Sequence, residues 1–348
     1  MINKTGPGAR LVIVSLFWIV LVFPASVAGE EETCNVVCRK IAEITEKSMN
    51  VVFVYTKTST AHGASSGTGS VISTADGNTF ILTNNHVVEG SLSGRAWVVF
   101  ESGKKAEVEI VGQDPGADLA LLKSPELPRG AGPVVFADGL KNGQQVYAVG
   151  YPFGVRNVTF GYITALEADR SWPFFWTQTP INPGNSGGPL LNERREMVGV
   201  NTAVVPSNIA IGGGISLVLP INYIKRLLVR LTRERVVRHG DAGFELADTA
   251  RELPPFFEKH GLRYPPEQEG VIVAGVMPGL PAAQAGIKVG DIIFKWNGVI
   301  FARTRDLREK IFFDHRPNDE VVITVLRGGQ MFERRLKLIG YTPPTEKD

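Results

Sequence analysis

The sequence predicts a mostly β protein in two parts, an all-β domain of closed or sandwiched strands followed by a smaller α+β domain. Three observations carry this. From Val51 onward, short β-rich runs alternate with turn residues: VVFVYT, TGSVIS, TFILTN, RAWVVF, AEVEIVG, DLALLK, QQVYAVGYP, YITALEA, MVGVNTAVV and GISLVLP. These runs succeed one another without intervening helices, as in a sandwich or barrel. After Pro220 the apolar period becomes helical, and from about Gly240 strands and short helices alternate. A chain of 348 residues, 43% hydrophobic and 21% charged, is long enough for two buried cores.

Residues 1–28 stand outside this fold. Lys4 and Arg10 precede an apolar run from Leu11 to Phe23, and small residues follow at Ser26 and Ala28. A basic start, a short apolar segment and a small-residue site describe a secretory signal peptide. The apolar run is shorter than the roughly 20 residues a spanning helix needs; an uncleaved membrane anchor is the alternative. Loss of this segment removes two of the 37 basic residues and none of the 35 acidic ones, so the mature chain carries no formal charge. That balance excludes a nucleic-acid partner bound through net charge. The two cysteines, Cys34 and Cys38, lie four apart, on one face if the segment is helical. An oxidising compartment permits a local disulfide or an intermolecular one. The pair offers too few ligands for zinc, and no metal or cofactor is expected.

The stretch INYIKRLLVRLTRERVVRHG places Ile224, Leu227, Leu228 and Leu231 at helical spacing. It sets Lys225, Arg226, Arg230, Arg233, Arg235 and Arg238 against a single Glu234, and we read residues 223–239 as a solvated basic linker helix. The second domain, 240–340, reads as the strand GFELA, a proline-interrupted insertion and the strand GVIVAGV. The short helix LPAAQAG, the strand DIIFKWNG, the helix TRDLREKIFF and two closing strands follow.

The chemistry gathers around PINPGNSGGPL, where three glycines and three prolines surround Ser186. Glycine clusters ordinarily mean turns. A serine nucleophile needs more: a base to take its proton and a carboxylate to orient that base. Of five histidines, only His86 follows directly on a β run, in FILTNNHVVEG. For the acid, GQDPGADLALLK offers Asp114, which precedes Pro-Gly and reads as a turn residue, and Asp118, which opens an apolar strand. Asp118 is the candidate. The backbone N–H groups of Gly184 and Ser186 are candidates for an oxyanion hole, and Gly187 and Gly188 let the chain pass close behind the serine.

With His86 in TNNHVV, Asp118 in DLALLK and Ser186 in GNSGGPL, the chain resembles the HtrA/Deg serine proteases of the chymotrypsin-fold class. The resemblance covers nearly the whole mature chain. It implies a chymotrypsin-like double β-barrel over residues 29–222 and a PDZ domain after the linker. His86 would be the general base, Asp118 its orienter, Ser186 the nucleophile, and Gly184 and Ser186 the oxyanion donors. The family's usual Gln-Thr-Asp-Ala before the nucleophile is here Trp176, Thr177, Gln178 and Thr179. The resemblance places the primary specificity pocket at Pro180, Ile181, Ile215, Ser216, Leu217 and Val218. These walls carry no acid and imply cleavage after Val, Ala, Ile or Leu.

By the same resemblance the PDZ carboxylate-binding loop is Asp241-Ala242-Gly243-Phe244. The peptide groove runs along Phe244, Glu245 and Leu246 against a helix at Thr304–Phe313. Asp241 and Ala242 stand where two apolar residues are usual. Implied partners are unfolded or misfolded protein substrates, C-terminal peptides at the PDZ groove and two further copies of the chain in a homotrimer. The implied location is the periplasm or outside, with anchorage to the inner membrane as the alternative. A holdase and a membrane-anchored sensor protease are the competing functions.

Overall fold

The computed structural model describes residues 28–57, 64–73, 79–91, 93–125, 127, 130–166, 173–205, 214–248 and 270–341, with backbone alone at 28–37, 203–205 and 248. The predicted signal segment, except for Ala28, therefore lies outside the described residues. Among the described residues no helix is long and apolar enough to cross a membrane.

Twelve strands form two closed antiparallel barrels. The first takes β1 (Val51–Lys57), β2 (Ala64–Ser73), β3 (Thr79–Thr83), β4 (Arg95–Val99), β5 (Lys105–Asp114) and β6 (Leu119–Lys123), in the order β1-β2-β3-β6-β5-β4. The second takes β7 (Gln145–Gly150), β8 (Asn157–Ala165), β9 (Phe175–Thr177), β10 (Pro189–Asn192), β11 (Met197–Val205) and β12 (Ile215–Pro220), in the order β10-β11-β12-β9-β8-β7. Closure removes free sheet edges from the domain. Alternate residues face inward: Val52, Val54, Ile81, Val98 and Leu122 fill the first barrel, and Val146, Ile163, Phe175, Leu190 and Val218 the second.

A third apolar cluster lies between the barrels, and the helix Ile221–Leu231 belongs to it. Tyr223, Ile224, Leu227, Leu228 and Leu231 are all buried there. The expected solvated linker helix is thus an integral part of the core. Burying each such side chain is worth about 1.5–3 kcal/mol, and the basic residues occupy the opposite face, where they find partners. Lys225 donates to the Ala137 carbonyl at 3.0 Å and Arg230 pairs with Glu234 at 3.1 Å.

The second domain is a sheet of β14 (Phe244–Asp248), β15 (Val271–Val276), β16 (Ile292–Trp296), β18 (Glu320–Arg327) and β19 (Gln330–Lys337), in that order. β17 (Val299–Ile300) pairs with β16, and β13 (Gly240–Asp241) pairs with β20 (Ile339–Gly340). The helix Thr304–Asp314 covers the sheet with Leu307 and Ile311 and turns Phe312 and Phe313 into the cluster between the barrels. There Phe313 meets Tyr223 with ring centroids 4.8 Å apart. Arg226 pairs with Asp314 at 3.0 Å and with Glu309 at 3.4 Å, and Arg316 with Glu234 at 2.6 Å. Burial and its bond to Glu309 push the Tyr223 phenol up to about 12, so it stays a donor at this junction.

Candidate active site

His86 sits in a single helical turn, Asn85–Val88, directly after β3. The fully buried Val87 and Val88 pin that turn to the first barrel and leave the imidazole at the surface. Its Nδ1 lies 2.7 Å from Asp118 Oδ2, and the His86 backbone N–H donates to Asp118 Oδ1 at 2.9 Å. An ionised carboxylate only accepts, so the neutral ring carries its proton on Nδ1 and offers the Nε2 lone pair outward. Asp118 ends the turn between β5 and β6 in a left-handed conformation, φ 52°. Asn84 Nδ2 donates to its carbonyl at 2.7 Å and helps hold it there.

Ser186 lies on the turn leading into β10. Its hydroxyl donates to the Thr202 carbonyl at 3.2 Å. Gly184 and Gly187 are both left-handed, at φ 104° and 84°. A Cβ on Gly187 would come 2.2 Å from both Thr68 O and Thr83 Oγ1, so only glycine fits. The turn is fastened to the first barrel by Thr68: its N–H donates to Ser186 O at 2.8 Å and its hydroxyl to Gly184 O at 2.6 Å. The same hydroxyl accepts from Tyr151 N–H at 2.9 Å. Among the described residues, neither the Gly184 nor the Ser186 N–H meets an acceptor.

In the second domain, Gly243 is left-handed (φ 74°) and packed against Leu280. Its N–H, expected to hold a peptide's terminal carboxylate, donates instead to Asp241 Oδ1 at 2.9 Å. β14 is an edge strand with Glu245 exposed and Leu246 buried. Arg308, from the helix Thr304–Asp314, donates to the Leu246 carbonyl at 2.8 Å. Side chains of the chain itself therefore occupy one donor and one acceptor of the expected groove.

A trypsin-like peptidase domain model matches residues 67–200 and a PDZ domain model residues 243–338. A probable DegP-like periplasmic serine endoprotease of Chlamydia pneumoniae is 35% identical over 279 residues, 77% of this chain and 53% of that protein. The periplasmic serine endoprotease DegP of Salmonella typhimurium is 33% identical over 255 residues, 70% of this chain and 51% of that protein. The HtrA-type protease AlgW solved with a tripeptide superposes with a TM-score of 0.68 at 29% identity, covering 88% of this chain and 98% of that one. The chain belongs to the HtrA/Deg family. It spans about half the length of the curated relatives it matches. Its fold is that of the HtrA proteases, a chymotrypsin-like double β-barrel followed by one PDZ domain.

The expected specificity-pocket residues of this HtrA chain divide in two. Ile181 and Val218 belong to the core of the second barrel, and the buried Ser216 hydroxyl donates to Thr179 O at 2.8 Å. Pro180 is exposed, and Ile215 and Leu217 are half-buried, on the alternate face of β12. Residues 206–213, which precede that strand, lie outside the described residues. So does the side chain of Cys34; the backbone helix Ala28–Lys47 carries both cysteines one turn apart.

Sequence reasoning missed two residues near the site and misread two. Thr68 was legible as a threonine between two glycines, Gly67 and Gly69, and a Cβ on Gly67 would meet Ser186 O at 2.7 Å. Asn84 stands in the TNNH run itself. Asp114, read as a turn residue, does cap the turn through Ala117 N–H at 2.9 Å, but it is also fully buried and paired with His239 at 2.8 Å. His239, placed in a solvated linker, is 2% exposed.

Proposed function

We propose that this chain is a serine endoprotease that cleaves unfolded or regulatory proteins through an acyl-enzyme. The observation that supports it best is the His86–Asp118 pair, closed at 2.7 Å with the imidazole otherwise at the surface. In the proposed reaction the Ser186 hydroxyl turns from Thr202 O toward His86 and loses its proton to Nε2 as Oγ attacks the scissile carbonyl. Asp118 fixes the tautomer and stabilises the imidazolium. The N–H groups of Gly184 and Ser186 hold the oxyanion. His86 then gives its proton to the leaving amine, and water, activated by the same base, releases the acyl group.

The proposed pocket walls, with Ile215 and Leu217 the half-buried members, contain no acid. A buried Lys or Arg would be left unpaired at a cost of several kcal/mol, whereas burying an aliphatic side chain gains about 1.5–3 kcal/mol. Cleavage after Val, Ala, Ile or Leu is expected. The relatives are named periplasmic, and we place this chain in the periplasm as a homotrimer, with its PDZ groove taking C-terminal peptides that displace Asp241. A monomer in native mass measurements would overturn the assembly.

Purified protein incubated with unfolded casein, beside Ser186→Ala, tests the reading. Fragments from the native chain and intact casein with the variant are expected. Equal loss of casein in both would remove Ser186 from the reaction, and soluble but uncut casein in both would point to a holdase.

A further inference from the structure

The turn that carries Asp118 is gripped from behind by a buried pair that the reaction above does not use. His239 Nε2 lies 2.8 and 3.0 Å from the two Asp114 oxygens, and its Nδ1 lies 2.6 Å from the Phe312 carbonyl. The ring stacks on Phe312 at 3.5 Å and packs close to the turn: a Cβ on Gly116 would touch its Cδ2 at 2.8 Å. Asp114 Oδ1 also accepts from the N–H of Ala117, the residue next to Asp118. The path is thus continuous from the last turn of the PDZ helix, through His239 and Asp114, to the residue before Asp118.

Two further links run beside it. Gln113 N–H donates to Arg235 O at 3.0 Å and Val237 N–H to Gln113 O at 2.8 Å, so the segment before His239 lies alongside the end of β5. Gln113 Nε2 donates to Asn85 Oδ1 at 3.0 Å, in the helical turn that holds His86.

The chemistry of the pair is that of a clamp. The Phe312 carbonyl only accepts, so Nδ1 must carry a proton. The Asp114 carboxylate also only accepts, so a second proton lies between Nε2 and that carboxyl. A buried pair of this kind adds little net stability but fixes geometry, because breaking one partner strands the other.

We infer that Asp114 and His239 are positioning residues for Asp118, setting the His86–Asp118 contact from a site joined to the end of the PDZ helix. This rests on the proposed roles of His86, Asp118 and Ser186. Asp114→Ser keeps an acceptor for Ala117 N–H and loses the bond to His239. Asp114→Asn can retain both, accepting from Ala117 N–H and donating to a neutral Nε2.

The test uses the full chain and two readouts. Steady-state cleavage of a short peptide should show kcat reduced about ten- to a hundredfold in Asp114→Ser, the range expected from slight misplacement of a catalytic group. KM should stay unchanged, and Asp114→Asn should restore the rate to within about threefold. Second, NMR titration of His86 in a Ser186→Ala background should move to lower pH in Asp114→Ser, because a looser Asp118 stabilises the imidazolium less. This readout needs no activity, so it decides the inference even if the native chain fails to cleave casein. Unchanged kcat and an unchanged His86 titration in Asp114→Ser, whatever its stability, overturn the inference. So does Asp114→Asn impaired as severely as Asp114→Ser. Should Asp114→Ser fail to fold, His239→Gln is read by the first criterion.

Discussion

Replacing Thr68 by valine isolates what fastens the nucleophile turn to the first barrel. The side chains are nearly isosteric, so no cavity opens at this fully buried position. The hydroxyl, however, serves two partners at once, accepting from Tyr151 N–H at 2.9 Å and donating to Gly184 O at 2.6 Å. Leaving a buried polar group unpaired costs about 1–3 kcal/mol. The Tyr151 amide is deeply placed and bears the full penalty, while the half-buried Gly184 carbonyl recovers part of its loss from water. Together these give a destabilisation of about 2–4 kcal/mol. The functional effect follows from the same bonds, because Gly184 supplies one proposed oxyanion donor and its carbonyl is no longer tethered. Urea unfolding should show the lower midpoint, and kcat should fall by at least about tenfold. Thr68→Ser keeps the hydroxyl and should recover most of both. A Thr68→Val chain with native stability and native kcat would refute the reasoning.

Other outcomes follow from single contacts. Gly187→Ala combines a left-handed Cβ with contacts of 2.2 Å to Thr68 O and Thr83 Oγ1, and should cost about 2–5 kcal/mol and abolish cleavage. Gly154→Ala, with φ +77° and nothing within 4 Å, should cost only about 1–2 kcal/mol, so equal unfolding midpoints for the two variants would contradict the packing argument. Asp241→Ala frees the Gly243 N–H and should tighten binding of a peptide with an apolar C-terminus by about tenfold in calorimetry; unchanged affinity would mean that Asp241 does not block the loop. At the junction of the domains, burial opposes ionisation of Asp314 and Glu234. Lys310 and Arg226 beside the first, and Arg230 and Arg316 beside the second, outweigh it and hold both carboxyls below their ordinary values. A depressed folded value means the contribution is present above the unfolded range near 4 and is lost as pH falls through the lower folded values. Hydrogen exchange in the helix Thr304–Asp314 should thus stay slow at pH 5 and quicken only below about pH 4. Release already between pH 7 and 5 would exclude these pairs as its cause.

Much of the fold was legible because its strands are regular. Each of the ten β runs overlaps one strand of the two barrels, while β9 and β10, of three and four residues, were missed. Phe175–Thr177 sits in an aromatic loop and Pro189–Asn192 opens on a proline, so neither shows a period. β6 begins at Leu119, one residue after the run that suggested it, because Asp118 is left-handed. The helix after Pro220 was misjudged because its charges outweighed its apolar face. Leu227 and Leu231 have their partners in both barrels, and that contact has no local signature. The same holds for the candidate site. His86 and Asp118 could be chosen by their places at strand ends, but His239 and Asp114, 125 residues apart, become partners only when the linker folds back along β5. Asp241 was recognised as out of place in its loop; that its carboxylate caps Gly243 depends on a left-handed backbone that sequence alone does not display.

The central claim is that Ser186 is a nucleophile activated by His86. The most direct measurement is labelling of the native chain with a fluorophosphonate, which forms an Oγ–phosphorus bond and expels fluoride, followed by mass spectrometry of the digested protein. The account predicts one adduct, on the peptide containing Ser186. It should be absent in Ser186→Ala and formed at least about a hundredfold more slowly in His86→Ala, in line with the loss of a general base. An unlabelled Ser186 in a folded chain, or labelling equally fast without His86, would contradict it.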